Sequence, residues 1–412
     1  MKIRERVKSI GPAIIVAAVV LGPGSILASS RVGAEWGWMG LPFLALAVVL
    51  MVGMVALSAR LGVIYKGSIC EEISDRLGRK TAVGVGIVLF GIVALYQSSN
   101  NLALSVGLEP LFEDEEGILP QGWVILQVLI LLIANVGIIS CLYLMRSLYS
   151  AVERAMKILV LLMIGAFAVN LLAAMFSDAP ERNASIPEKR DWLPVVALVG
   201  TTFSIGGAFF QSYLVREKGW RMESLRQGTF DSAIGVAVLG GVSAVIMITS
   251  LLIFHRVPGV PESIQIGDLS SQLEPLFGSG SKYVFCGGFM AGALSSFMVN
   301  AAIGGTVLSD SLGKGASMQG RWARHFTALA LTVGMVVAIF GIIWKESRDS
   351  LMLGAQALTV FGIPALGLAM LYLATRPELT GQRRVPGILK LVAGAGVLFA
   401  VLLSVRKVAA WF

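Results

Sequence analysis

The chain has 412 residues, of which 56% are hydrophobic and 14% charged. Soluble domains carry about 25% charged residues, so a water-soluble enzyme is excluded; the 47 glycines lie inside apolar runs and do not mark low complexity. The net charge of +8 comes from lysines and arginines clustered between those runs, which points to a membrane surface and gives no sign of a nucleic-acid partner. Cys70, Cys141 and Cys286 lack CxxC spacing and give neither a disulfide framework nor a zinc site. With His255 and His325 the only histidines, a His-based metal or acid–base centre is nearly excluded.

A hydrocarbon core about 30 Å thick takes roughly 20 apolar residues per helix. About eleven runs qualify, near 11–36, 41–65, 81–106, 123–144, 156–176, 193–215, 233–254, 283–312, 326–344, 351–374 and 388–405. The basic start of the chain, Lys2, Arg4, Arg6 and Lys8, could precede a secretory leader, but the first run is too long and no A-x-A site ends it. It reads as a spanning helix. Every second loop is then basic: Lys66, Arg76, Arg79 and Lys80; Arg146 and Arg154; Arg216, Lys218, Arg221 and Arg226; Lys314, Arg321 and Arg324; Arg376, Arg383, Arg384 and Lys390. The intervening loops are acidic or mixed, as at Glu109 to Glu116. Positive loops stay inside, so the N-terminus is expected in the cytoplasm and the C-terminus outside. The expectation is an all-α integral protein of a prokaryotic cytoplasmic membrane, a single unit over 1–412, monomeric in the lipid bilayer.

Two runs are interrupted. Leu21-Gly22-Pro23-Gly24-Ser25 falls inside the first, where proline removes a donor and glycine removes restraint. Ser204-Ile205-Gly206-Gly207 occupies the same relative place in the sixth. Backbone unwinds at membrane depth only where protein or a polar cavity surrounds it. Paired interruptions in two halves are the best sequence pointer to a transporter's binding site; the plainer alternative is glycine allowing close helix packing. The spacing implies a five-plus-five inverted repeat, about 10–176 against 192–375, with an extra helix at about 388–405.

The residues around these breaks resemble the Nramp divalent-metal transporters, which share the leucine-transporter-type fold. That family has Gly-Pro-Gly, Asp-Pro-Gly-Asn and Gly-Ala-x-aromatic-Gly-aromatic in its first helix; here stand Gly11-Pro12, Gly22-Pro23-Gly24-Ser25 and Gly33-Ala34-Glu35-Trp36-Gly37-Trp38. Gly200-Thr201-Thr202 through Gln211-Ser212-Tyr213-Leu214-Val215 is similar to its sixth helix. Ser295-Ser296 with Gly304-Gly305, and Ala355-Gln356 with Ile363-Pro364-Ala365, are similar to its eighth and tenth. The resemblance covers helices one to ten in order.

It implies a substrate site at Gly22, Pro23, Gly24, Ser25, Thr202, Ser204, Gly206, Gly207, Gln211 and Gln356. The family's metal ligands, an Asp, an Asn and a Met, fall on Gly22, Ser25 and Ser204. Its two sixth-helix histidines fall on Gly206 and Gln211, and its acidic proton-linked pair on Gln97 and Asn100. No charged or soft ligand is left, so no side-chain metal site is expected, and ordinary proton coupling should be absent. Manganese or iron stripped of water needs anionic or soft donors, and unpaired charge inside a membrane is costly. The chemistry favours a small polar organic solute moved by alternating access. The alternative is a divalent cation, hydrated magnesium ahead of manganese or iron, since magnesium keeps several waters.

Other residues have two readings. Ser295 and Ser296 supply hydroxyls to a sodium site or bond back to their own helix; sodium and protons both remain open as coupling ions, and no cofactor is expected. Arg31 and Glu35, four apart, form a structural ion pair or an outer gate. Asp310 is expected in solvent near the end of the eighth run, Asp231 at the start of the seventh, His255 at a surface and Trp36 in an interfacial belt. No Ser/His/Asp set, HExxH or P-loop occurs, so the protein is expected not to be an enzyme.

Overall fold

The computed structural model describes residues 22–112, 120–144, 191–255, 278–344 and 348–409, with isolated helical positions at 165, 167–169, 171–172, 175 and 269. Every regular element among them is helical: α1 (Pro23–Trp36), α2 (Leu41–Ile64), α3 (Ile69–Leu77), α4 (Arg79–Val106), α5 (Trp123–Leu144), α6 (Leu193–Thr202), α7 (Ile205–Glu217), α8 (Met222–Phe254), α9 (Ser281–Ser311), α10 (Arg321–Ile343), α11 (Arg348–Leu358), α12 (Ile363–Ala374) and α13 (Gly387–Ala409), with single turns between some of them.

Nine stretches of the described residues are long and apolar enough to cross a membrane. The first, Pro23–Ile64, carries two predicted runs, because the turn Gly37–Gly40 joins α1 directly to α2. The fifth predicted run, 156–176, and the part of the first before Gly22 lie outside the described residues, as do the charges at Lys2 to Lys8, Arg146 and Arg154. The stretch Leu193–Glu217 is 94% buried within its apolar window, against 17% for Trp123–Leu144. So α6 and α7 form the centre of the bundle and α5 its lipid-facing edge.

Helices approach closely where a side chain is missing. A Cβ on Gly33 of α1 would fall 2.1 Å from Met247 O of α8, and one on Gly62 of α2 would fall 2.6 Å from Ser212 O of α7. Ser58 of α2 fastens that second contact, donating to Phe209 O and accepting from Ser212 N, each at 3.1 Å. Small residues and buried hydroxyls are the usual cement of helices in lipid.

The described basic loops gather at one end. There α3 starts in a capping box, with Ser68 Oγ accepting Glu71 N and Glu71 accepting Ser68 N, which satisfies two of the helix's orphan donors. Arg76 pairs with Glu72 and Glu378, Arg60 donates to Gln382 O and Arg384 O, and Arg383 donates to Ile64 O. Tyr65 donates to Leu373 O at 2.8 Å, and burial, partly offset by Arg76, pushes its phenol up to about 12. The loop between α12 and α13 is thus clasped to the ends of α2 and α3.

Three placements differ from the sequence expectation. Asp231 lies inside α8, which starts earlier, at Met222. Trp36 is buried in edge contacts with Phe43 and Trp192, its indole donating to Asp191 O at 3.0 Å. His255 packs on Gly37, whose φ of 58° suits glycine, with Nδ1 2.6 Å from Ala34 O. For Trp36 and His255, packing within one chain replaced an interfacial role.

Candidate substrate site at the two helix breaks

The second interruption forms, and at the first α1 begins on Pro23, the residues before Gly22 lying outside the described ones. Gly22 is extended (φ −90°, ψ 169°) and caps α1, with Pro23 as the first helical residue, where its fixed φ suits a helix start. Gly22 O accepts Ser25 N at 3.0 Å and Ile26 N at 3.2 Å. In the sixth run the chain leaves helical geometry at Phe203 (ψ 57°) and Ser204 (ψ 89°). The break therefore lies one step before the expected one: Gly206 and Gly207 are in the first turn of α7. Three helix ends, the starts of α1 and α7 and the end of α6, turn partial charges of both signs toward this region.

Most of the residues the sequence singled out meet here. Gly22 faces α9 and α4: a Cβ there would lie 2.9 Å from Ser296 Oγ and 3.6 Å from Asn100 Oδ1. Asn100 Nδ2 donates to Gln97 Oε1 at 3.3 Å, and Gln97 Nε2 to Phe297 O at 2.7 Å. Gln356 of α11 fills the space over Gly24, its Nε2 donating to Ser99 Oγ at 2.8 Å and its Oε1 buried without a partner. Its own carbonyl closes on Gly200 of α6. Ser25 and Ser204 are buried, Thr202 Oγ1 is buried without a partner, and Tyr96 donates to Gly200 O at 2.7 Å. Gly206 is buried, yet a Cβ there would meet no described atom within 4 Å.

Gln211 lies elsewhere. It is two turns along α7, where Nε2 meets Ser232 Oγ of α8 at 3.2 Å. The side chain of Ser295 lies outside the described residues. Asp310, expected in solvent, is buried and accepts Tyr213 OH at 2.6 Å; helix α3 folds over the end of α9 and covers it. Beside it burial pushes the Cys70 thiol well above its ordinary range. Arg31 is buried and Glu35 half-buried, within electrostatic reach of Arg31 and Asp191. Sequence reading missed Tyr96, Ser99, Asn101, Asn135 and Asn300. A run of polar residues inside an apolar helix, Gln97-Ser98-Ser99-Asn100-Asn101, was the available signal.

Among the described residues no three His, Cys, Asp or Glu side chains group as a metal site. The donors present are hydroxyls, carboxamides and backbone carbonyls, a set suited to an ion that brings its own water or to other hydrogen-bonding cargo.

A broken helix meeting a helix start at a buried polar centre marks a secondary-transporter architecture. Residues 13–410 match the family described as natural resistance-associated macrophage protein-like, and the chain belongs to this Nramp family of membrane transporters. It is 25% identical over 381 residues to the "Divalent metal cation transporter MntH" of Yersinia pestis, covering 90% of this chain and 87% of that one. Among solved structures, a mutant of the Eremococcus coleocola manganese transporter superposes with a TM-score of 0.75 at 16% identity, over 97% of this chain and 86% of that one. A nucleobase-cation-symport-1 family transporter superposes with a TM-score of 0.51 at 13% identity, over 98% and 93%. The fold is the leucine-transporter type, in an integral membrane protein with bacterial relatives. The expectation of an organic solute is overturned: the relatives are named for divalent metal cations and manganese. The sequence argument failed because it equated the loss of charged ligands with the loss of the cation, although water and carbonyl oxygens also hold a dication.

Proposed function

We propose that this chain moves a divalent metal cation across the membrane by alternating access, and that the ion keeps part of its water shell in the site. Family membership supports the cation. The hydration follows from one observation, the uncharged donor set of Ser25, Thr202, Ser204 and Gln356 at the helix breaks. A hard oxygen set without a thioether gives soft ions no advantage, so magnesium should compete with manganese. The basic end is the cytoplasmic face in this reading, and the two halves of about 10–176 and 192–375 form the inverted repeat. Gln97 and Asn100 do not exchange protons near neutral pH, so cation flux should carry no stoichiometric proton flow.

The experiment is uptake into proteoliposomes of purified protein, with internal dyes for divalent cations and for pH. Manganese and magnesium flux that saturates, inhibit each other, and fall at least about tenfold in Gln356→Ala, which removes a carboxamide from the site, is the expected result. Absence of flux with either ion would sink the reading; flux of manganese indifferent to excess magnesium would remove the hydrated ion.

A further inference from the structure

Helices α4 and α9 meet α1 where it begins, and two carboxamides there are held in one direction. Phe297 O of α9 only accepts hydrogen bonds, and Gln97 Nε2 donates to it at 2.7 Å. That contact decides which end of the Gln97 amide is nitrogen. Its Oε1 is left on the other side, where it accepts Asn100 Nδ2 at 3.3 Å. Asn100 in turn has its oxygen left for α1: a Cβ on Gly22 would lie 3.6 Å from Asn100 Oδ1. The two amides thus run head to tail from a backbone carbonyl. Their setting is firm. Gly334 lets α10 close on Gln97, a Cβ there falling 2.3 Å from Gln97 Cβ. Asn101 Nδ2 donates to Gln97 O at 2.8 Å, and Asn135 Nδ2, bonded to Leu131 O at 2.8 Å, donates to Asn101 Oδ1 at 2.6 Å.

A carboxamide oxygen accepts hydrogen bonds and attracts cations, and it cannot donate. A second oxygen stands beside it: Ser296 Oγ lies 2.9 Å from the same Cβ position and accepts Asn300 Nδ2 at 2.9 Å. The missing side chain at Gly22 is what lets both oxygens come this near to α1. Hydrogen-bonded amides aligned in one direction polarise one another in a low dielectric. The side of the break that faces α4 and α9 is therefore electronegative without carrying a charge. Such a surface suits a hard cation that keeps its water, whose shell presents hydrogens outward.

We propose that Asn100 is a specificity-determining residue of this transporter: its amide oxygen receives the hydrated cargo cation beside Gly22. Gln97 is the positioning residue that keeps the oxygen of Asn100, and not its nitrogen, toward the cargo. The inference rests on the metal-transport reading and adds to it a contact from α4. The two amides select a cation by their orientation, where the resemblance made them only the replacement of a proton-linked pair.

The test is calorimetric titration of the purified full-length protein in detergent with manganese and with magnesium. The parent should bind both. Asn100→Leu, which removes the oxygen, should raise both dissociation constants about tenfold, the loss of one hydrogen bond to a charged partner. Asn100→Asp keeps the size of the side chain and carries the test if the leucine variant fails to fold. Its carboxyl should give up a proton to the buffer as the cation binds, so the binding heat should follow the buffer's heat of ionisation in this variant and not in the parent. Gln97→Leu frees the Asn100 amide to turn over and should weaken binding. Gln97→Leu combined with Asn100→Asp should recover it, because both ends of a carboxylate are oxygen; a merely structural Gln97 would not be rescued. Ser98→Ala, whose hydroxyl bonds back to Leu95 O at 2.8 Å, should bind as the parent does. Parent-like dissociation constants in Asn100→Leu, or a buffer-independent heat in Asn100→Asp, overturn the proposal, and a double variant that stays weak overturns the part given to Gln97. In each of those outcomes a parent that binds the ions leaves the metal-transport reading standing; a parent that binds neither ion sinks both.

Discussion

At the helix breaks Gln97, Asn100, Ser296 and Gln356 are buried and uncharged, bonded to one another's helices through amides and hydroxyls. At the basic end α2, α3 and the loop between α12 and α13 carry Arg60, Arg76, Arg383 and Glu378, bonded to backbone carbonyls and to each other at partly exposed positions. Asp310 is the one acidic side chain buried among the described residues, and it sits at that end, under α3. The difference follows from solvation. Charge is cheap where water or a flexible partner can reach it and costly at depth, so the side chains at the helix breaks are neutral and the charged ones gather at the end.

The comparison breaks most sharply if charge is placed at depth. Gln97→Glu would set a carboxylate oxygen against Phe297 O, where an amide now donates at 2.7 Å. We expect a loss of about 3 kcal/mol or more, the range for an uncompensated buried charge, read as a lower Tm in detergent; a variant as stable as the parent would mean that water already reaches the breaks. Next comes Asp310→Ala, which leaves the buried Tyr213 hydroxyl with no acceptor at 2.6 Å and should cost about 2 kcal/mol. Asp310→Asn keeps an oxygen there and should recover most of that loss.

A smaller effect is expected at Tyr65, whose Phe variant loses the bond to Leu373 O, worth about 1 kcal/mol. The phenol's folded pKa of about 12 lies above its ordinary 10.0. Its stabilisation is therefore complete below pH 10 and fades as pH rises through 12. The gap in Tm between parent and Tyr65→Phe should hold from neutral pH to pH 10 and close above it; a gap that closes near neutrality contradicts the assignment. The smallest effect belongs to Glu378→Gln, a solvent-exposed partner of Arg76. At physiological salt no Tm change should be resolved, with a slight one emerging at low ionic strength.

Much of the bundle was legible in one dimension because lipid leaves the backbone few options. Apolar length gave the spans, and Gly22-Pro23-Gly24 marked the place where α1 begins. The second break was located one residue late, since Gly206 and Gly207 look like breakers but lie in the first turn of α7. Gln211 belonged to the same motif stretch as Ser204, yet helical geometry carries it two turns away to Ser232. The contact of Asn101 with Asn135 could not be read at all: single polar residues in apolar helices acquire meaning only when a neighbouring helix brings them opposite one another.

The sequence by itself determined that this is a membrane-spanning helical protein with two interrupted helices, because hydropathy, proline and glycine act locally and need no partner. It also determined that the residues at the two interruptions carry no charge. Only the tertiary structure decided that Gly22 faces Asn100 and Ser296, that Gln356 lies over Gly24, and that Asp310 is covered by α3. Those contacts join residues up to hundreds of positions apart, and their energies come from burial and hydrogen bonds that exist only once the helices have packed.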